Sequence, residues 1–240
     1  MSGAVSWADF TVRRVAIVDD EPEYAEGTGI VIEDAGFEPI ILPGSFQTTS
    51  DLVAAVRPLA DAVVCDHRLR PGGYAPFDGA EAVASFTDAR IPAILLTTYD
   101  KIDADVSIRL WRDRIPVLLS RENADPMGMR SAIALCVREI SGDIPSSRRP
   151  WQALVQVRAV DEESSRQVVD AIIPSWRPLE AVRFPAELLP EALRGSVQPG
   201  DVLIAEVNIG AERHEDLFLR GFRRAPEPLP EDLLGASDGS

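Results

Sequence analysis

The sequence predicts a doubly wound α/β half followed by a small, mainly β half. Two observations predict it. Between residues 13 and 140, five short apolar runs alternate with stretches of helical period, the pattern of a parallel sheet covered on both faces. After residue 150 the period changes to two, with apolar and polar residues alternating along short runs punctuated by Pro and Gly.

RRVAIVD (13–19) is β-branched and ends in acids, so it reads as the first strand. EPEYAEGTGIVIEDAG (21–36) is helical by the spacing Tyr24, Thr28, Val31, Ala35, although Gly27 and Gly29 each cost about 1 kcal/mol relative to Ala. FEPIIL (37–42) returns to strand, SDLVAAVRPL (50–59) is a short helix, and DAVVCD (61–66) is a strand that again ends in an acid. After a Gly/Pro-rich loop, GAEAVASF (79–86) is helical and IPAILLT (91–97) is a strand. DADVSIRLW (103–111) reads as helix, IPVLLS (115–120) as strand, and DPMGMRSAIALCVREI (125–140) as a strong helix. In that last helix Asp125 is the N-cap, Pro126 occupies the first turn, and Met129, Ile133, Cys136 and Ile140 form the buried stripe.

SGDIPSSRRP (141–150) is polar and Pro-containing and reads as a linker between a domain over 1–140 and a second over 151–225. Beyond it, WQALVQVRAV sets Val155, Val157 and Ala159 against Gln156 and Arg158, and VLIAEVNIG sets Ala205, Val207 and Ile209 against Glu206 and Asn208. With RQVVDAII, LEAVRF and EDLFLRGF these give about five short strands, enough for a small barrel or sandwich. PAELLPEAL (185–193) is the one helix-like piece of this half, and the tail 226–240 reads as disordered.

The charge balance is Lys+Arg 24 against Asp+Glu 39, a net −15 spread as −8 before residue 151 and −7 after it. Neither half offers the basic surface that phosphate-backbone binding needs, so a nucleic-acid partner is not expected. The second half has too many prolines and too little helix for a helix-turn-helix. No apolar run is long enough to cross a membrane and MSGAVSWADF lacks a signal peptide's apolar core, so the expectation is a cytoplasmic protein with no membrane partner. Cys65 and Cys136 lie in apolar runs and read as buried free thiols. His67 and His214 are isolated and read as surface or loop histidines. Arg148-Arg149 and Arg223-Arg224 read as solvated or salt-bridged, and Trp151 and Trp176 as core or interface anchors.

In parallel sheets ligands lie outside the carboxyl ends of the strands. The residues at those ends are Asp19 and Asp20, Asp66, Thr97, and Ser120 or Arg121. Converging carboxylates need a compensating cation, which suggests a hard, oxygen-ligated metal, most simply Mg²⁺. One strand-end acid can simply cap the next helix; the set spread over four strand ends is what carries information.

VAIVDDE, VVCDHRL, ILLTT and LLSREN, in that order, resemble the receiver domain of two-component response regulators, over about residues 13–140. The resemblance implies a flavodoxin-like fold in which Asp19, Asp20, Asp66 and the backbone carbonyl of Arg68 hold Mg²⁺. It further implies that Asp66 accepts a phosphoryl group from a histidine kinase or phosphotransfer protein, and that Thr97, with the small Thr98 after it, is the switch hydroxyl. A lysine after the fifth strand would then contact the phosphoryl oxygens. Here that region reads Ser120-Arg121, and taking DPMGMRSAI as the start of the final helix puts Arg121 at the lysine's place. The chain has a single lysine, Lys101, against 23 arginines, so composition accounts for part of this replacement. Val117 or Leu118 stands where the family has a switch aromatic. The loop HRLRPGGYAPFDG is longer than usual, and its Arg68, Arg70, Gly72, Gly73 and Tyr74 are expected to overhang Asp66. Being a cation and no ligand, Arg121 is expected to be dispensable for metal binding. The function these features imply is phosphorelay signalling through a β-rich half that docks a protein partner, with no enzyme activity beyond phosphoryl acceptance and self-dephosphorylation. The alternatives are a receiver-like scaffold that is not phosphorylated, or a Mg²⁺-dependent phosphohydrolase.

Overall fold

Two β-sheets, one parallel and one antiparallel, make up the two halves of the chain. The computed structural model describes residues 5–7, 10–70, 73–98, 104–163 and 166–226. Gly72, Lys101 and the tail from residue 227, on which the expectation of disorder falls, lie outside the described residues.

A short antiparallel hairpin, β1 (Val5–Trp7) and β2 (Phe10–Val12), precedes the first expected strand and runs alongside the last helix. The first half then alternates β3 (Arg14–Val18), α1 (Pro22–Asp34), β4 (Glu38–Ile41), α2 (Thr49–Val56), β5 (Ala62–Asp66), α3 (Gly79–Asp88), β6 (Ala93–Thr97), β7 (Val117–Ser120) and α4 (Pro126–Ile140). The strands lie in the order β4–β3–β5–β6–β7, all parallel, which is the flavodoxin-like order. Period-two alternation splits them between two cores. Ala16, Val18, Val63, Cys65 and Leu95 meet Leu52, Val56 and Phe86 on one face. Val15, Ile17, Val64, Ile94 and Leu96 meet Ile32, Met129, Ile133 and Cys136 on the other. The α4 stripe and its Asp125 cap, which accepts the Gly128 N–H at 2.6 Å, are as the sequence predicts. On α1 Thr28 and Ala35 of the predicted spacing are buried and Val31 partly so, alongside Ala25, Gly29 and Ile32, whereas Tyr24 is left 52% exposed.

The expected helix over 103–111 is irregular: a π turn over Ala104–Ile108 leads into a 3₁₀ turn over Arg109–Arg114. The three-residue spacing of the 3₁₀ turn puts Arg109 and Arg112 on one side, and both are buried against the second half. Arg109 donates to the carbonyls of Leu217 (2.6 Å) and His214 (3.0 Å), and Arg112 donates to Glu215 O at 3.0 Å and pairs with Asp216 at 2.9 Å. Arg148, in the segment expected to be a linker, is also buried, paired with Glu139 at 2.9 Å and donating to the carbonyls of Arg112 and Asp113.

The second half is a five-stranded antiparallel sheet of β8 (Trp151–Glu163), β9 (Arg166–Ile173), β10 (Arg177–Pro185), β11 (Val202–Val207) and β12 (Leu219–Arg224), in the order β10–β9–β8–β11–β12. The long β8 pairs with β11 near its start and with β9 further along, and the sheet curls over Val155, Val169, Val182, Leu203 and Leu219. Phe184 of β10 and Phe222 of β12 stack at 5.1 Å, so the outer strands meet through rings without forming a ladder. The expected helix at 185–193 is a single turn, Ala186–Leu188, because Pro190 cannot continue one; Leu189, Leu193 and Val197 instead fill the sheet's open side. Trp176 packs on this core and donates its indole N–H to Ala211 O at 2.7 Å, whereas Trp151 is 59% exposed and is not part of that core.

Candidate functional site

In the flavodoxin-like order the chain leaves β3 toward β4 on one side and returns to β5 on the other, so the crevice opens between the ends of β3 and β5. Asp19 and Asp20 follow β3, and Asp66 ends β5. Each of the three acids offers an oxygen within 4.8 Å of the others, a hard-oxygen donor set that could hold a metal ion. Asp19 and Asp66 are nearly buried.

Their oxygens are already engaged by the protein. Asp19 Oδ1 accepts the Glu21 N–H at 3.0 Å, and Asp66 Oδ2 accepts the Arg68 N–H at 2.7 Å. The remaining oxygen of each binds one and the same group: Arg121 Nη2 lies 2.9 Å from Asp19 Oδ2 and 2.5 Å from Asp66 Oδ1. The guanidinium carbon of Arg121 sits 4.6 Å from the centre of the Tyr24 ring. Burial pushes the Asp66 carboxyl above the usual carboxylate range, with the Asp19 charge adding to it, while the Arg68 N–H and Arg121 pull the other way. Burial, with Asp66 and Asp19 behind it, drives the neighbouring Cys65 thiol far up.

Arg121 therefore reaches the acids, and Ser120 does not: its hydroxyl accepts from Asn123 Nδ2 at 2.8 Å. Thr97 ends β6 directly opposite Ser120, buried, its hydroxyl 3.3 Å from the Thr98 carbonyl. The loop after Asp66 turns inward. Leu69, Tyr74 and Phe77 are buried, Tyr74 donates its hydroxyl to Leu42 O at 2.8 Å, and Arg70 pairs with Asp78 at 2.7 Å. Tyr74 thus packs into the core rather than over Asp66; Gly72 lies outside the described residues. His67 is buried too, its Nε2 3.0 Å from Ser107 Oγ, and His214 is half-buried beside Arg109, so neither is a plain surface histidine.

Two residues of the site were not legible in the sequence. Gly79, the first residue of α3, donates to His67 O at 2.8 Å, and a Cβ there would stand 1.8 Å from Asp66 O. The helical period from Gly79 to Phe86 announces the helix but not this contact. Tyr24 belongs to the helical spacing of α1, which does not announce the contact of its ring with Arg121.

No family model and no curated protein matches the sequence. Among solved structures, a response regulator receiver domain protein from Clostridium thermocellum matches with 13% identity and a TM-score of 0.42, over 54% of this chain and 97% of that one. The signal receiver domain of an HD domain-containing protein from Pseudomonas fluorescens Pf-5 matches with 14% identity and a TM-score of 0.42, over 58% and 96%. A sensor protein from Polaromonas sp. JS666 matches with 13% identity and a TM-score of 0.41, over 53% and 98%. These are likenesses of fold, and the strand order described above stands without them.

Proposed function

We propose that this protein carries signals by phosphorelay: Asp66 accepts a phosphoryl group from a phosphohistidine of a kinase or phosphotransfer protein, and the β half presents the result to a protein partner. The observation that carries the reading is the convergence of Asp19, Asp20 and Asp66 with Arg121 at the carboxyl ends of β3, β5 and β7. Phosphoryl transfer asks for positioning and charge neutralisation more than for elaborate covalent machinery. An Asp66 oxygen attacks phosphorus, the O–P bond forms as the N–P bond breaks, and the histidine leaves. The Arg68 N–H fixes the rotamer of the attacking carboxylate, and in the metal-free site Arg121 offsets charge on its other oxygen. Mg²⁺, held by Asp19, Asp20, Asp66 and the Arg68 carbonyl, would screen repulsion between the carboxylate and the incoming phosphoryl oxygens. Thr97 supplies a hydroxyl for the phosphorylated state. Among the described residues no helix is long and apolar enough to cross a membrane.

Incubating the full chain with Mg²⁺ and a small acyl phosphate, then measuring intact mass, tests this. A single phosphoryl adduct is expected on the wild type and none on Asp66→Asn, which keeps the size of the side chain and loses its anionic nucleophile. An adduct that survives in Asp66→Asn, or maps to another peptide, overturns the assignment. The second reading, a scaffold that is never phosphorylated, draws support from Arg121 lying across two of the acids, and it predicts no adduct on either protein.

A further inference from the structure

We infer that Arg121, seated against Tyr24, is the acid cluster's resident counter-cation, and that a divalent metal binds there only by displacing it. The inference rests on the metal-assisted reading of this site and concerns what sets the site's preference among cations. Asp19 and Asp66 have four carboxylate oxygens. Two hold backbone N–H groups, and the other two share one nitrogen of Arg121. A small divalent ion demands direct contact with oxygen and keeps a shell of ordered waters, which needs the space this nitrogen fills. Two cations cannot both sit a few ångströms from the same pair of oxygens without strong repulsion.

Tyr24 is the positioning residue. Its ring lies one helical position away from the buried stripe of α1 and is half-exposed, so core packing does not account for where it sits. The ring face lies against the guanidinium at 4.6 Å, the arrangement in which an aromatic quadrupole attracts a cation. Tyr24 and Arg121 also line, with Thr28, Leu96 and Met129, a cavity of about 160 Å³, which offers space next to the pair for a guanidinium that has left the acids. The sequence-based expectation that Arg121 is dispensable for metal binding gives way to a stronger one: its removal should favour the metal.

The test is calorimetric titration of the full chain with MgCl₂ alone. Arg121→Ala should bind Mg²⁺ at least about tenfold more tightly than wild type, because a competing charge at hydrogen-bond distance is gone. Arg121→Gln, which keeps a long polar side chain, should do the same and covers the case in which the alanine variant fails to fold. Tyr24→Leu should bind more tightly than wild type, while Tyr24→Phe, which keeps the ring face, should match wild type. Adding Asp20→Ala to Arg121→Ala should erase the gain. Equal or weaker Mg²⁺ binding in both Arg121 variants overturns the inference, as does an absence of binding in every protein. The two proposals fail separately: a gain in Mg²⁺ affinity without a phosphoryl adduct removes the phospho-acceptor reading alone, and an adduct without the gain removes this inference alone.

Discussion

At Gly79 the chain can carry no side chain, because the first turn of α3 presses on the carbonyl of Asp66. A Cβ would have to enter within 1.8 Å of that oxygen and 2.9 Å of His67 Cα, and both obstacles are backbone. Gly79→Ala should therefore push the end of β5 away from α3, at a cost of about 1–3 kcal/mol typical of overpacking. Because Asp66 sits on the displaced turn, the variant should also lose phosphoryl acceptance out of proportion to its lost stability. Urea denaturation and the intact-mass assay, run side by side, measure the two effects. A variant that is destabilised but fully phosphorylated would show that the strand end gives way without moving the carboxylate. The legible part of the site is its chemistry: acids, hydroxyl and cation stand at strand ends, where period and polarity switch together. Gly79 and Tyr24 were hidden because the first depends on a backbone approach and the second on a contact between α1 and the turn after β7.

The element that departs most from its sequence is the crossover between β6 and β7. Residues 103–111 have helical spacing, yet the chain there adopts π and 3₁₀ turns, a case of tertiary contact overriding propensity. The contact is made by arginines. Arg109 is sealed from solvent, and burial lowers its affinity for a proton while Asp105 restores part of it. Burial and the charge of Arg148 bring Arg112 down to about 10, still cationic at neutral pH. Composition could not announce this, since an arginine in an acidic chain reads as a surface residue. Arg109→Met should cost about 3–5 kcal/mol, because it takes the guanidinium away from the buried Leu217 carbonyl and removes the cation that Asp105 and the His214 carbonyl share. Thermal unfolding checks it, and a loss below about 1 kcal/mol, the range of an exposed pair, would show that water replaces the guanidinium freely.

Across the whole molecule, the change of period near residue 150 was legible because a parallel sheet buried on both faces and a curled antiparallel sheet need different patterns. How the halves meet was not legible, because the meeting is made of paired charges and carbonyls. His214 sits at that junction, its Nδ1 3.1 Å from Arg109 Nη2 and 3.2 Å from Asp105. Burial, then the Arg109 charge, holds the His214 imidazole below its ordinary value, against the opposing pull of Asp105 and Glu180. The folded state thus binds this proton less readily than the unfolded chain. Its contribution to stability is complete above the unfolded value of about 6.5 and falls away as the pH drops below that toward the folded value. Urea midpoints at pH 7.5 and pH 5 should show the loss, and His214→Asn, which keeps an acceptor near the Nδ1 position without titrating, should flatten it. An unchanged slope in that variant would assign the acid sensitivity to other groups.

Both sheets have open edges, and each edge strand carries or adjoins a residue that hinders the addition of a further strand. Pro39 lies within β4, Pro116 immediately precedes β7, Pro178 lies in the irregular start of β10, and Gly221 bends β12 with a φ of 65°. Exposed Arg220, Arg223 and Arg224 add charge along β12. Edge strands are the usual templates for fibril growth and strand exchange, and proline, kinks and charge are what blunt them. This chain is guarded against being zipped to its own copies when concentrated, and a ligand that docks by adding a strand meets a blunted edge on either sheet.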